Sequence, residues 1–141
     1  MQKPVLINGG CFSDARGTLL YNNDFDASVV KRIYTIENSS LNFIRGWQGH
    51  RIEQRWFSVV YGAFNIQLIA IDNWQSPSRN LQIHEFKVSA SSMDVLHVPA
   101  GYISSIQAVQ ENSKLVAMSD YLLGSIQDEY KYDINYFNDK N

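Results

Sequence analysis

Turn signals recur every 8–12 residues along this chain, and no stretch before residue 120 sustains a helical period. Between the turns lie short runs that alternate apolar and polar side chains, the pattern of strands with one buried face. The run "VVKRIYTIEN" (29–38) puts Val30, Arg32, Tyr34 and Ile36 on one face. "RWFSVVYGAFNIQLIAI" (55–71) reads as two strands around a turn at Tyr61-Gly62. In its second half Phe64, Ile66, Leu68 and Ala70 alternate with Asn65 and Gln67. "NLQIHEFKV" (80–88) alternates again, and "DVLHVPAGYISSIQAV" (94–109) divides at the turn Pro99-Ala100-Gly101. "SKLVAMSDYL" (113–122) is a further strand. At 141 residues, one all-β domain over 1–141 is expected, an antiparallel sandwich or barrel. The polar, aromatic segment "SIQDEYKYDINYF" (125–137) is expected to form a short C-terminal helix or tail.

Composition narrows the function classes. The net charge is −2 and the twelve Lys and Arg are dispersed, which argues against a general nucleic-acid surface but not against a small anionic ligand held by a few cations. Cys11 is the only cysteine, so neither an internal disulfide nor a thiolate metal cage can form; a small buried or half-buried residue is expected there. No apolar run approaches the ~18 residues of a membrane span, and the start of the chain lacks a signal-peptide pattern. A cytoplasmic protein without membrane association is the expectation.

Two clusters carry candidate chemistry. "RGWQGH" (45–50) reads as a loop that gathers Arg45, Trp47 and Gln48 and ends on His50, a side chain able to take and return a proton near neutral pH. "SDARGTL" (13–19) sets Asp14 and Arg16 before Gly17, either to close a turn or to let Arg16 and Arg45 clamp a phosphate from two sides. Tyr34 is a core or barrel-lining aromatic whose hydroxyl has a second possible use, facing a ligand. Trp74, in an expected loop, covers a mouth or packs at an interface. His84 and His97 fall inside strand patterns and read as structural.

A jelly-roll barrel with a His-bearing segment followed by a Pro-x-Gly hairpin resembles the cupin superfamily. Metal-binding cupins place His-x-His-x3-Glu on one strand and a further His after the Pro-x-Gly, so that four ligands converge on one ion. Here the four-residue step from His50 lands on Gln54, and Ser104 stands at the later position. Glu53 is one place off and should point to the other face of a strand. No metal site and no cofactor are expected.

The ordered series "SDARGTL", "VKRIYTI", "RGWQGH", "VPAGY" and "SDY" resembles two related families over roughly residues 5 to 137. These are the dTDP-sugar 3,4-ketoisomerases and the dTDP-4-dehydrorhamnose 3,5-epimerases. The epimerases carry Arg-Gly-x-His, and the base His falls here on Gln48; their acid Tyr falls on Val116. The ketoisomerases read approximately Arg-Gly-Gly-His-Ala-His with a Tyr on the preceding strand, and Tyr34, Arg45, Gly46 and His50 match while Gln48 replaces the first His. The resemblance implies a cupin-type jelly roll, a homodimer with exchanged or tightly packed strands, and a dTDP-4-keto-6-deoxyhexose substrate whose ketone moves from C4 to C3. Under it His50 is base and shuttle, Tyr34 donor or relay, and Gln48 a donor to a sugar oxygen. Arg16 and Arg45 hold the diphosphate, and Trp47, Arg51 and Tyr102 complete the substrate contacts. The alternatives are an epimerase-like enzyme with a changed outcome and a non-catalytic nucleotide-sugar-binding cupin.

Overall fold

In the computed structural model, which describes residues 2–137, the alternating runs become twelve strands. β1 (Val5–Ile7), β2 (Gly10–Asp14), β3 (Gly17–Tyr21) and β4 (Arg32–Ile36) come first. β5 (Ile44–His50), β6 (Arg55–Tyr61), β7 (Ala63–Ala70) and β8 (Ile83–Ser89) follow. β9 (Val95–Val98), β10 (Tyr102–Ala108), β11 (Lys114–Ser119) and the short β12 (Tyr130–Lys131) complete the order. One antiparallel sheet runs β1-β9-β6-β11-β4, and a second runs β12-β5-β10-β7-β8. β2 and β3 form a hairpin of their own.

From β4 to β7 the chain changes sheet at every connection, and it does so again from β8 through β12. Two of these crossings need glycine. Gly62, between β6 and β7, has φ 76°, and a Cβ there would collide with Ser113. Gly101, between β9 and β10, has φ 97° and follows Pro99-Ala100, so the Pro-x-Gly turn is a passage from one sheet to the other.

The alternation fixes what lies between the sheets. Phe57 and Val59 from β6 meet Phe64, Ile66 and Leu68 from β7, with Leu96, Ile106 and Leu115 closing the core. On the outer face of the first sheet one rung crosses all five strands: Val5, His97, Trp56, Met118 and Ile33 are successive partners. Its two ends are open, Val5 being 52% and Ile33 68% exposed.

The segment expected as a short helix or tail is a tail: among the described residues there is no helix, and 125–137 contains β12 and turns. Its aromatic side chains are spaced to cover a sheet instead. Phe137, Tyr132 and Tyr136 pack on Trp47, Ile69, Ile71 and Ile103 across the outer face of the second sheet, with Phe137 edge-on to Trp47 at 5.5 Å. The Tyr132 hydroxyl donates to the Trp74 carbonyl and that of Tyr136 to the Pro77 carbonyl, both at 2.6 Å. Cys11, expected at least half-buried, is exposed because the β2–β3 hairpin carries it outside both sheets. Phe137 is fully enclosed, so Phe137→Ala is expected to cost roughly 3–5 kcal/mol of stability, measured by urea unfolding.

Candidate active site

"RGWQGH" is a strand, not a loop; it fills β5. Local reading missed this because the segment has two glycines and few apolar residues. Its inner side chains line a cavity rather than the core, so they are polar. Gly49 is required where β5 meets β10, since a Cβ there would strike the Tyr102 carbonyl oxygen and the Ile103 Cα.

Strict alternation would put Arg45 on the side of Trp47, away from Gln48 and His50. The register prevents it. Arg45 pairs with Ile106 and Gln48 with Ser104, so β5 carries one residue more than β10 across this step. That β-bulge re-aims Arg45, which lines the same cavity as Gln48 and His50. Trp47 faces the opposite way, into the aromatic layer under the C-terminal segment.

The cavity has two connected parts, with Tyr34, Gln48, His50 and Arg55 lining both. The inner part, about 230 Å³, lies within the barrel and also touches Arg45, Phe57, Tyr102 and Ser104. The outer part, about 700 Å³, opens between β4 and a strap formed by residues 122–130, with Arg32 and Glu53 on its walls. Leu122 and Leu123 are exposed on this strap, beside Gly124.

Hydrogen bonds from the strap hold His50 and Gln48. His50 Nδ1 lies 3.0 Å from the Asp128 carbonyl oxygen. A carbonyl only accepts, so Nδ1 carries the hydrogen and Nε2 is left as the basic nitrogen of the neutral ring. The Asp128 carboxylate is buried and accepts from three consecutive amides, Arg51 at 3.0 Å and Ile52 and Glu53 at 2.8 Å. The Gln48 amide donates to the Glu129 carboxylate, which fixes that amide's orientation.

A buried ion pair, Arg55 with Glu53, stands beside His50. Arg55 Nη1 is 2.6 Å from Glu53 Oε1 and 2.8 Å from Ser119 Oγ, while Arg55 Nε donates to the Tyr34 hydroxyl at 3.2 Å. Burial holds His50 below its ordinary value of 6.5, and the Arg55 cation adds to that, against the Asp128 carbonyl and the Glu53 and Asp128 carboxylates. For Glu53, burial acts upward, but the hydrogen bonds from Arg55 and Ser119 outweigh it and hold the carboxyl below its usual range.

His50, Glu53 and Asp128 bring one potential metal ligand each to within 4.8 Å of one another. Glu53 is there because β5 ends at His50 and the chain bends over 51–52, so the alternation that would have turned it away no longer applies. The donors are already engaged: Asp128 by three amides, Glu53 by a guanidinium and a hydroxyl. A fixed cation 2.6 Å from the central carboxylate opposes a second one.

The structure thus brings together Tyr34, Arg45, Gln48, His50 and Tyr102. Tyr102 is held by its hydroxyl, which donates to the Gln2 carbonyl at 3.1 Å, and burial pushes that phenol up. Three expected contacts lie elsewhere. Trp47 is on the far face of β5; Arg51 is exposed and borders neither part of the cavity; and Arg16 sits at the tip of the β2–β3 hairpin, paired with Asp14 at 2.6 Å. Trp74 packs against Tyr130 of the strap, ring centroids 4.7 Å apart and planes tilted by 48°. His84 and His97 border neither part of the cavity; His97 stacks on Trp56 and meets Gln54 Oε1 through Nε2 at 2.6 Å.

Two pH effects follow. If His50 is the base, the acid limb of a pH–rate profile is expected below pH 6.5, because the ring stays neutral to lower pH than a free histidine. His97 is also held low, chiefly by burial. With both folded values below the unfolded one, the unfolded state binds more protons as pH falls through 6.5, so stability decreases on that side. A urea midpoint lower at about pH 5.5 than at about pH 7 is the expected result.

No family model matches the chain, and no curated protein matches it in sequence. Solved structures do match its fold. The 3,4-ketoisomerase QdtA of Thermoanaerobacterium thermosaccharolyticum, in complex with TDP-4-keto-6-deoxyglucose, aligns at TM-score 0.72 and 15% identity over 98% of this chain and 94% of its own. The WlaRB TDP-quinovose 3,4-ketoisomerase of Campylobacter jejuni aligns at 0.68 and 15%, over 99% and 100%. The RmlC epimerase of Mycobacterium tuberculosis aligns at 0.73 and 17%, over 94% of this chain and 70% of its own. The fold is the RmlC-like cupin jelly roll that these proteins share.

Proposed function

We propose that this chain is a sugar-nucleotide isomerase that moves the ketone of a dTDP-4-keto-6-deoxyhexose between C4 and C3. One observation carries the reading: a histidine, oriented through Nδ1 by the Asp128 carbonyl, lines a cavity together with Tyr34 and Gln48. The 4-ketone acidifies the C3 hydrogen. His50 takes that proton, leaving a 3,4-enediolate, and returns one to C4. As the 3-ketone forms, the hydroxyl proton on O3 must leave and O4 must gain one. Gln48 cannot titrate; bound to Glu129 through its amide nitrogen, it serves by hydrogen bonding alone.

For the diphosphate, Arg45 is the expected residue that reaches the cavity from its own chain. Arg16 serves this reading only through a second copy, since its hairpin stands clear of the barrel. Phe12 and Leu19 on that hairpin are 54% and 61% exposed, and with Val5 and Ile33 they offer apolar surface for a homodimer.

The epimerase alternative is less well supported. Val116, where the sequence comparison puts the acid tyrosine, packs on the outer face of the first sheet beside Trp56 and Met118. Incubation with dTDP-4-keto-6-deoxyglucose in deuterated water, read by NMR, tests the proposal. A 3-ketone with deuterium at C4 is expected. Exchange at C3 and C5 with the 4-ketone retained indicates an epimerase, and neither conversion nor exchange indicates a binder.

A further inference from the structure

The proposed reaction gives no task to Arg55, the most buried cation of the cavity. Arg55 opens β6, is 8% exposed, and belongs to a strand whose other inward residues are the apolar core positions Phe57 and Val59. A charge in that place is costly unless it is paired, and this one is paired on two sides. Glu53 Oε1 accepts from Arg55 Nη1 at 2.6 Å and from Ser119 Oγ at 2.9 Å, and Ser119 Oγ accepts from the same Nη1 at 2.8 Å. Ser119 is wholly buried, and the Glu53 amide is anchored on Asp128. The guanidinium is therefore held in a closed three-membered ring with one edge, Nε, turned to Tyr34.

We infer that Arg55 is a positioning residue that makes Tyr34 a one-directional hydrogen-bond donor and steadies it as the relay between the two sugar oxygens. This rests on the isomerase reading and assigns a step within it. A guanidinium can only donate, so Tyr34 Oη must accept at 3.2 Å and cannot spend its own hydrogen on Arg55. Among the described residues no protein acceptor takes that hydrogen, and Tyr34 lines both parts of the cavity. The Arg32 guanidinium lies over the ring face, 4.5 Å from the centroid, and restrains it further. In the reaction, Tyr34 O–H gives its proton to O4 of the enediolate, and the phenolate so formed is stabilised by the Arg55 Nε–H. That phenolate then takes the proton from O3 as the C3 ketone forms. The hydroxyl is restored, no electron leaves the substrate, and His50 handles only the carbon-bound protons.

The test is a double-mutant cycle on Arg55→Lys and Tyr34→Phe. Lysine keeps the charge near Glu53 but loses the planar fork that serves Glu53 and Tyr34 together. R55K is expected to lower kcat by about 10-fold or more with KM within about 3-fold, and to cost less than about 2-fold when Tyr34 is already Phe. Losses that multiply across the cycle overturn the inference, because Arg55 then acts without Tyr34. E53Q, which loosens the ring without touching Tyr34, is expected to shift kcat in the same direction by less; an unchanged kcat also counts against it.

A second readout needs no turnover. In protein labelled at tyrosine Cζ, the Tyr34 resonance, assigned by its loss in Y34F, is expected to move in R55K. A stationary resonance overturns the inference whatever the activity. If wild-type protein neither converts nor exchanges the keto sugar, the isomerase reading falls, and a shifted resonance still upholds the positioning of Tyr34 by Arg55.

Discussion

His50→Asn is expected to abolish turnover while leaving dTDP affinity within about 3-fold of wild type, because general acid–base catalysis contributes roughly 10²–10⁴-fold and binding of the nucleotide does not call on it. Asparagine is the informative replacement. Its side-chain amide can still donate toward the Asp128 carbonyl that now holds Nδ1 at 3.0 Å, so the strap keeps its contact. What disappears is the basic nitrogen. Turnover is followed by the appearance of the 3-ketone and affinity by titration with dTDP. A variant that converts the keto sugar at the wild-type rate removes His50 from the mechanism. A loss of both activity and affinity would mean that the ring shapes the cavity rather than moving protons.

Asp128→Ala is expected to be the most damaging single change away from the core, at roughly 3 kcal/mol or more. The carboxylate is 3% exposed and serves three successive amides at the end of β5. Hydrogen bonds to a charged group contribute about 1.5–3 kcal/mol each, not additively, and truncation leaves the three donors to find water in a half-buried bend. Asp128→Asn keeps one acceptor oxygen and should fall between the two. Urea unfolding measures the loss. A D128A protein as stable as wild type shows that the amides are satisfied by solvent and that the strap is held mainly by its aromatic end.

The strands and their faces were legible in the sequence wherever one side of a strand meets apolar core. Phe64, Ile66 and Leu68 announce an inner face because nothing but packing acts on them. β5 failed that test for a physical reason: its inner side meets a cavity, its outer side meets the C-terminal aromatics, and its bulge breaks the period of two between Arg45 and Gln48. Trp47 was drawn to the site by its neighbours in sequence and belongs by geometry to the other face. The candidate site was half visible. His50 and Tyr34 were readable because they match the pattern of the sugar-nucleotide isomerases, and Gln48 because it departs from that pattern where a histidine is expected. Arg55 sits only two residues from Glu53 but works through Tyr34 and Ser119 on other strands. Asp128 contacts amides 75–77 residues earlier, a pairing that no local pattern encodes.

The strap has a consequence for biosynthesis. By Ser119 the chain has delivered every strand of the first sheet and four of the five in the second. Residues 122–130, which orient His50 and form one wall of the outer cavity, leave the ribosome only after that. The ordering of His50 by the Asp128 carbonyl therefore comes after β1 to β11 have been made. A product released early, or trimmed by a protease ahead of Asp128, carries eleven of the twelve strands but loses the carbonyl that holds His50, and with it the Asp128 and Phe137 anchors, so the loss of that contact comes with a loss of stability.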